Sequence, residues 1–165
     1  MQNRNLILGI LLIIISTGII YLVVSPKPAE TPSSGQNSVE KNGFPQQPDD
    51  AVVKVLEFHK ADYDKAAAEG KIVFLYFYAN WCPICREEVP IMYKTLNEQT
   101  DLRLIGFRVN FNDSETDDDE RELARQFGVA YQHTKVVLKN GERILKSPEV
   151  WDHDRYHAEL ENILK

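Results

Sequence analysis

The chain has 165 residues, 43% hydrophobic and 27% charged, with a formal net charge of −6. That size allows one domain with appendages, and an acidic balance without a basic stripe gives nucleic acid little to hold, which removes that partner class. Two cysteines are too few for a disulfide-stapled scaffold, and a domain of about 115 residues builds its core without one, so the pair reads as chemical rather than structural.

In chain order, residues 6–24 carry no charge, and as a helix they span roughly 28 Å of hydrocarbon. The run exceeds the apolar core of a cleaved signal peptide, about 7–15 residues. Tyr21-Leu22-Val23-Val24 is also a poor lead into cleavage. Residues 1–24 are therefore expected to be an N-terminal membrane anchor. Arg4 ahead of it keeps the short N-terminus in the cytoplasm by the positive-inside rule, leaving a single-pass protein whose C-terminal part is extracytoplasmic. Residues 25–50 hold five of the eight prolines among Ser, Gln, Asn and Gly. Such a stretch buries too little to offset its ordering entropy and reads as a flexible linker.

The domain proper is expected over 51–165. Val52, Val53, Val55, Leu56 and Phe58 suggest a first strand, and residues 61–69 a short helix stopped by Gly70. Residues 72–78 are apolar throughout, as in a central strand covered on both faces. A helix starts at Pro83, a residue suited to the first helical position. It buries Val89, Met92, Tyr93 and Leu96 on one face, and Pro90 inside it should kink it. Residues 102–110 read as the next strand.

Residues 113–122 hold seven acids and one arginine, but no glycine for the sharp turn of a calcium loop. They read as a helix start, with Thr116 and Asp119 as capping box. Leu123, Ala124 and Phe127 face inward, and Gly128 ends the helix. Residues 136–138 and 143–145 flank an Asn140-Gly141 hairpin turn. Asp152 caps a last helix with Tyr156, Leu160, Ile163 and Leu164 inward and Trp151 stapled onto Tyr156. The order β-α-β-α-β-α-β-β-α predicts an α/β fold, a central mixed sheet with helices on both faces.

Trp81-Cys82-Pro83-Ile84-Cys85-Arg86-Glu87 stands where the central strand hands over to a helix. A helix N-terminus offers unpaired N–H groups and positive dipole potential, both favouring a thiolate. Cys82 is assigned the attack on a disulfide. Cys85, one turn in, resolves the mixed disulfide. Arg86 adds positive potential or is simply solvated.

At this point residues 52–165 resemble the thioredoxin family. The matching features are the apolar strand into Trp81-Cys82-x-x-Cys85, Pro90, Arg108-Val109-Asn110, Gly128-Val129 and Lys139-Asn140-Gly141-Glu142. The resemblance implies a thioredoxin fold and reversible exchange with protein thiols and disulfides through Cys82 and Cys85, with no cofactor beyond the redox-active disulfide. Trp81, Pro83, Ile84, Tyr76, His133 and Thr134 would surround the pair. With its anchor, the chain looks like membrane-tethered thiol–disulfide oxidoreductases that serve exported proteins or cytochrome maturation and exchange electrons with a membrane donor or acceptor protein.

Two positions depart from the family pattern. Tyr76 stands where the family often carries a buried carboxylate, so proton transfer from the resolving thiol must use water or another group. His133 falls where the family has a cis-proline. A non-proline cis bond costs about 2.5–4 kcal/mol, so a trans bond is expected there. His133 contacts substrate or tunes a thiol, ligates a metal, or is an ordinary loop residue. Two thiolates and an imidazole suit Cu(I) or Zn(II), and Gln132-His133-Thr134 resembles the histidine segment of Sco-type copper-delivery proteins. That family, however, has three residues between its cysteines. Copper held by Cys82, Cys85 and His133 is therefore the alternative reading. His59, His153 and His157 lack a ligand-like grouping in sequence and read as surface.

Overall fold

The computed structural model describes residues 52–165; the expected anchor (1–24) and linker (25–50) lie outside the described residues. No helix among the described residues is long and apolar enough to cross a membrane. The elements follow the expected order: β1 Val55–Glu57, α1 Lys60–Ala68, β2 Ile72–Tyr78, α2 Pro83–Asn97, β3 Leu104–Asn110, α3 Asp118–Gln126, β4 Thr134–Lys139, β5 Glu142–Ser147 and α4 His153–Leu164. They build one five-stranded sheet in the order β1-β3-β2-β4-β5. β1, β3 and β2 run parallel, while β4 pairs antiparallel with both β2 and β5.

Central strand β2 is buried from end to end, and its alternation divides the core. Ile72, Phe74, Tyr76 and Tyr78 face a layer with Cys82, Cys85, Val89, Met92 and Leu96 of the α2 segment and Tyr156, Leu160 and Ile163 of α4. Val73, Leu75 and Phe77 face the opposite layer, with Ala66 of α1 and Leu123, Ala124 and Phe127 around α3. Helices thus cover both faces, which is why this strand lacks the polar alternation of a half-solvated one. β3 approaches α2 so closely at Gly106 that a Cβ there would meet Leu96 Cδ2 and Val55 Cγ2, each at 2.9 Å.

Several boundaries shift for identifiable reasons. β1 is confined to Val55–Glu57, although Val53 before it is buried. β3 begins at Leu104 rather than 102, because the Asp101 carboxylate accepts from the Arg103 N–H at 2.9 Å and holds a turn that leaves Leu102 exposed. The capping box of α3 is Asp117 with Glu120, not Thr116 with Asp119. Thr116 is already engaged, accepting from the Asp113 N–H at 3.0 Å and donating to the Asp113 carboxylate at 2.9 Å. Pro83 is the first residue of α2, and Pro90 inside it does not end the helix. Asn140 (φ 55°) and Gly141 (φ 78°) both occupy the left-handed region, as a two-residue hairpin turn matching the sheet's twist requires. Asp152 caps α4, and the Trp151 and Tyr156 rings meet edge to face with centroids 5.1 Å apart.

Candidate active site

Cys82 is the N-cap of α2, and its sulfur accepts the Cys85 N–H at 3.3 Å. This backbone donor belongs to the helix's unfilled first turn, where a sulfur anion finds both a hydrogen bond and the positive end of the dipole. Both cysteines are free thiols and both are buried, Cys82 retaining 2% of its surface. Around them the surface is apolar: Trp81 is 52% and Ile84 41% exposed. The Trp81 indole is anchored through its N–H to the Asn112 carbonyl at 3.1 Å. Pro83 and Arg86 are solvent-exposed.

Cys85 lies deeper. Burial, followed by its hydrogen bond with Cys82, pushes its thiol up to about 12, while the Tyr76 hydroxyl works against that rise. At neutral pH Cys85 is therefore a thiol and needs a proton acceptor before it can attack.

A buried carboxylate sits three residues further along α2. Glu88 is fully buried, and its Oε2 accepts the Tyr76 O–H at 2.9 Å. Its Oε1 accepts Lys135 Nζ at 2.6 Å, the Trp151 backbone N–H at 2.9 Å and the Tyr156 O–H at 3.1 Å. The Glu88–Lys135 ion pair has no solvent exposure on either side chain. Lys135 also donates to the His133 carbonyl at 3.0 Å and to the Glu149 carbonyl, and lies 5.0 Å from the Trp151 ring centroid. Burial lowers the lysine's pKa, and Glu88 opposes the drop. Burial and then Glu88 push the Tyr76 and Tyr156 hydroxyls well above the ordinary phenol range. Tyr76 thus does not leave the site without a carboxylate: the hydroxyl that acts on the Cys85 thiol donates to Glu88, carried by the same helix as Cys85. Neither Glu88 nor Lys135 was identified from the sequence.

His133 immediately precedes β4 in a left-handed backbone (φ 51°), and no peptide bond among the described residues is cis. One of its ring nitrogens and the two sulfurs all lie within 4.8 Å of one another. Its Nδ1 is buried without a hydrogen-bond partner, and burial lowers the ring's pKa. Thr134 is buried and donates to the Tyr131 carbonyl at 2.7 Å, fixing the loop that presents the histidine. His59 is exposed ahead of α1. His153 and His157, read as ungrouped surface residues, instead converge with Glu98.

The thioredoxin family model matches residues 54–164, the stretch that holds this dithiol and the whole sheet. The chain belongs to the thioredoxin family. Among curated proteins it is 36% identical over 93 residues to thioredoxin-like protein YneN of Bacillus subtilis, covering 56% of this chain and 51% of that protein. It is 37% identical over 92 residues to the chloroplastic thioredoxin-like protein HCF164 of rice, covering 54% and 32% respectively. The chain thus spans about half or less of these two relatives' length. Among solved structures, a thioredoxin-like protein from Edwardsiella tarda superposes with a TM-score of 0.52 at 28% identity, covering 66% of this chain and 97% of that one. A chain of the ferredoxin:thioredoxin reductase–thioredoxin f2 complex gives 0.56 at 18% identity, covering 67% and 96%, and so shares the thioredoxin fold.

Proposed function

We propose that this thioredoxin-family chain is a thiol–disulfide oxidoreductase acting on exported proteins from the outer face of a membrane. The observation that carries the activity is the Cys82 sulfur at the α2 N-cap, holding the Cys85 N–H at 3.3 Å. In the reducing direction the Cys82 thiolate attacks one sulfur of a substrate disulfide. The substrate S–S bond breaks, a Cys82–substrate disulfide forms, and the first substrate thiolate departs. Cys85 then gives up its proton toward Tyr76 and Glu88 and attacks the Cys82 sulfur. A Cys82–Cys85 disulfide forms as the second substrate thiolate leaves, so two electrons pass from the dithiol to the substrate. Oxidation of a substrate is the same path reversed.

The placement outside the cell rests on the uncharged run 6–24 behind Arg4 and the proline-rich spacer 25–50. A membrane-embedded donor or acceptor resets the pair in this reading. Cys85→Ser should accumulate mixed disulfides with partner proteins in isolated membranes, lost on adding thiol. Absence of such adducts would refute exchange through Cys82. A reporter enzyme active only outside the cytoplasm, fused after residue 165, tests the orientation. An inactive fusion that is fully expressed would overturn it.

A second reading is favoured by one observation: a His133 ring nitrogen lies within 4.8 Å of both sulfurs, and Nδ1 of that ring is buried without a hydrogen-bond partner. Two thiolates and this imidazole would bind Cu(I) with the chain as carrier. Stoichiometric Cu(I) on the reduced protein, weakened by His133→Ala, would establish it. A reduced protein that purifies and titrates without copper would remove it.

A further inference from the structure

Far from the dithiol along the same helix, three side chains from two elements meet. Glu98 is the C-cap residue of α2, while His153 and His157 lie one turn apart at the start of α4. The two Nε2 atoms are 3.2 Å apart. Glu98 Oε2 lies 3.0 Å from His157 Nε2 and 3.6 Å from His153 Nε2. We propose that Glu98, His153 and His157 form a binding site for a divalent transition metal, zinc above all, that ties the end of α2 to the start of α4.

The triangle has the dimensions of a metal's ligand set. Zinc bound to imidazole nitrogen and carboxylate oxygen at about 2.0–2.1 Å in tetrahedral geometry holds its ligand atoms roughly 3.3–3.4 Å apart. The three measured edges bracket that length. With the proton of each ring on Nδ1, both Nε2 atoms and Glu98 Oε2 turn lone pairs toward the space between them. One cation at the centre takes all three lone pairs. Histidines four apart on a helix project to the same side. Two imidazoles with one carboxylate form a three-ligand set that leaves a fourth position open. Each of the three side chains is about 40% exposed, so that position faces solvent.

The surroundings fit. His153 Nδ1 lies 3.7 Å from the carboxylate of the exposed Asp154, beyond hydrogen-bond distance but near enough to add negative potential at the site. The other Glu98 oxygen lies 3.8 Å from Lys94 Nζ, a surface contact. No residue of the dithiol site takes part, so the inference stands independently of the proposed exchange activity.

The test uses the full chain in its Cys82–Cys85 disulfide form, so that the thiols cannot bind metal. Calorimetric titration with Zn(II) should show one ion per chain. His157→Ala and Glu98→Gln should each weaken binding at least tenfold, while both melt like wild type in chelator. Zn(II) should raise the melting temperature of wild type and leave that of His157→Ala unchanged, because only a ligand bound to the native state shifts unfolding. Co(II) in place of zinc should give the intense visible bands of a four-coordinate ion. Absence of zinc uptake, or uptake of undiminished affinity in both variants, would overturn the site.

Discussion

Replacing Glu88 with glutamine keeps the side chain's shape and removes its charge, which isolates what the buried ion pair does. Lys135 would retain the His133 and Glu149 carbonyls as acceptors but lose the carboxylate at 2.6 Å. Breaking a buried pair from one side leaves an uncompensated charge and costs about 3–5 kcal/mol. At roughly 4–6 °C per kcal/mol for a domain of this size, Tm should fall by roughly 12–30 °C. The double variant Glu88→Gln/Lys135→Met removes both charges and fills the lysine's path with an apolar chain of similar length. It should recover at least about 2 kcal/mol of that loss, since an apolar replacement of a buried pair is often neutral. Guanidinium unfolding of the reduced protein, read at constant m-value, gives each corner of the cycle. If Glu88→Gln costs under about 1 kcal/mol, or if the double variant is as unstable as the sum of the singles, the pair does not hold these elements together.

Burial holds the Cys85 thiol up near 12, so brief iodoacetamide treatment of the reduced protein at pH 7 should label Cys82 first; mass spectrometry showing Cys85 modified first would reverse the assigned roles. Burial raises the Glu120 carboxyl to about 7, above its unfolded value of about 4.3. Its contribution is therefore fully present below that unfolded value and is lost as pH rises toward 7 and above. Glu120→Gln, which keeps a capping-box acceptor, should flatten the stability profile between about pH 4 and 7; an unchanged slope in denaturant midpoints would contradict this. Gly106→Ala should destabilise by about 1–3 kcal/mol through overpacking against Leu96 and Val55, and an unchanged unfolding midpoint would show that these side chains yield freely.

The fold was largely legible because its signals are local. The apolar run 72–78, Pro83 at a helix start, the Asn140-Gly141 turn and the Trp151–Tyr156 staple each depend on residues close in sequence. The dithiol was legible for the same reason. The buried acid was not, although a trace existed: Glu88 lies three residues after Cys85 and four before Met92, on the stripe that turns inward. Its neighbour Glu87 is exposed, and nothing local separates the two. Lys135 likewise alternates with Val137 toward one face, but a lysine in a strand reads as solvated until its partner 47 residues away is known. The Thr116 cap failed because the hydroxyl had a competing turn to serve. The Glu98–His153–His157 cluster joins residues from two helices, and only the packing of α2 on α4 reveals it.

The pairing of β2 with β4 places Tyr76 directly opposite Lys135, so both point at Glu88 from neighbouring positions on one side of the sheet. The ladder therefore acts as a gauge for the active site. Deleting one residue from the loop before β4 while keeping the pairing would turn Lys135 toward the opposite layer and bring Val136 in beneath the tyrosine. Loop length between α3 and β4 is consequently under chemical as well as structural constraint. Variation in this protein is better accommodated at the Asn140-Gly141 tip, where the chain reverses away from the thiols.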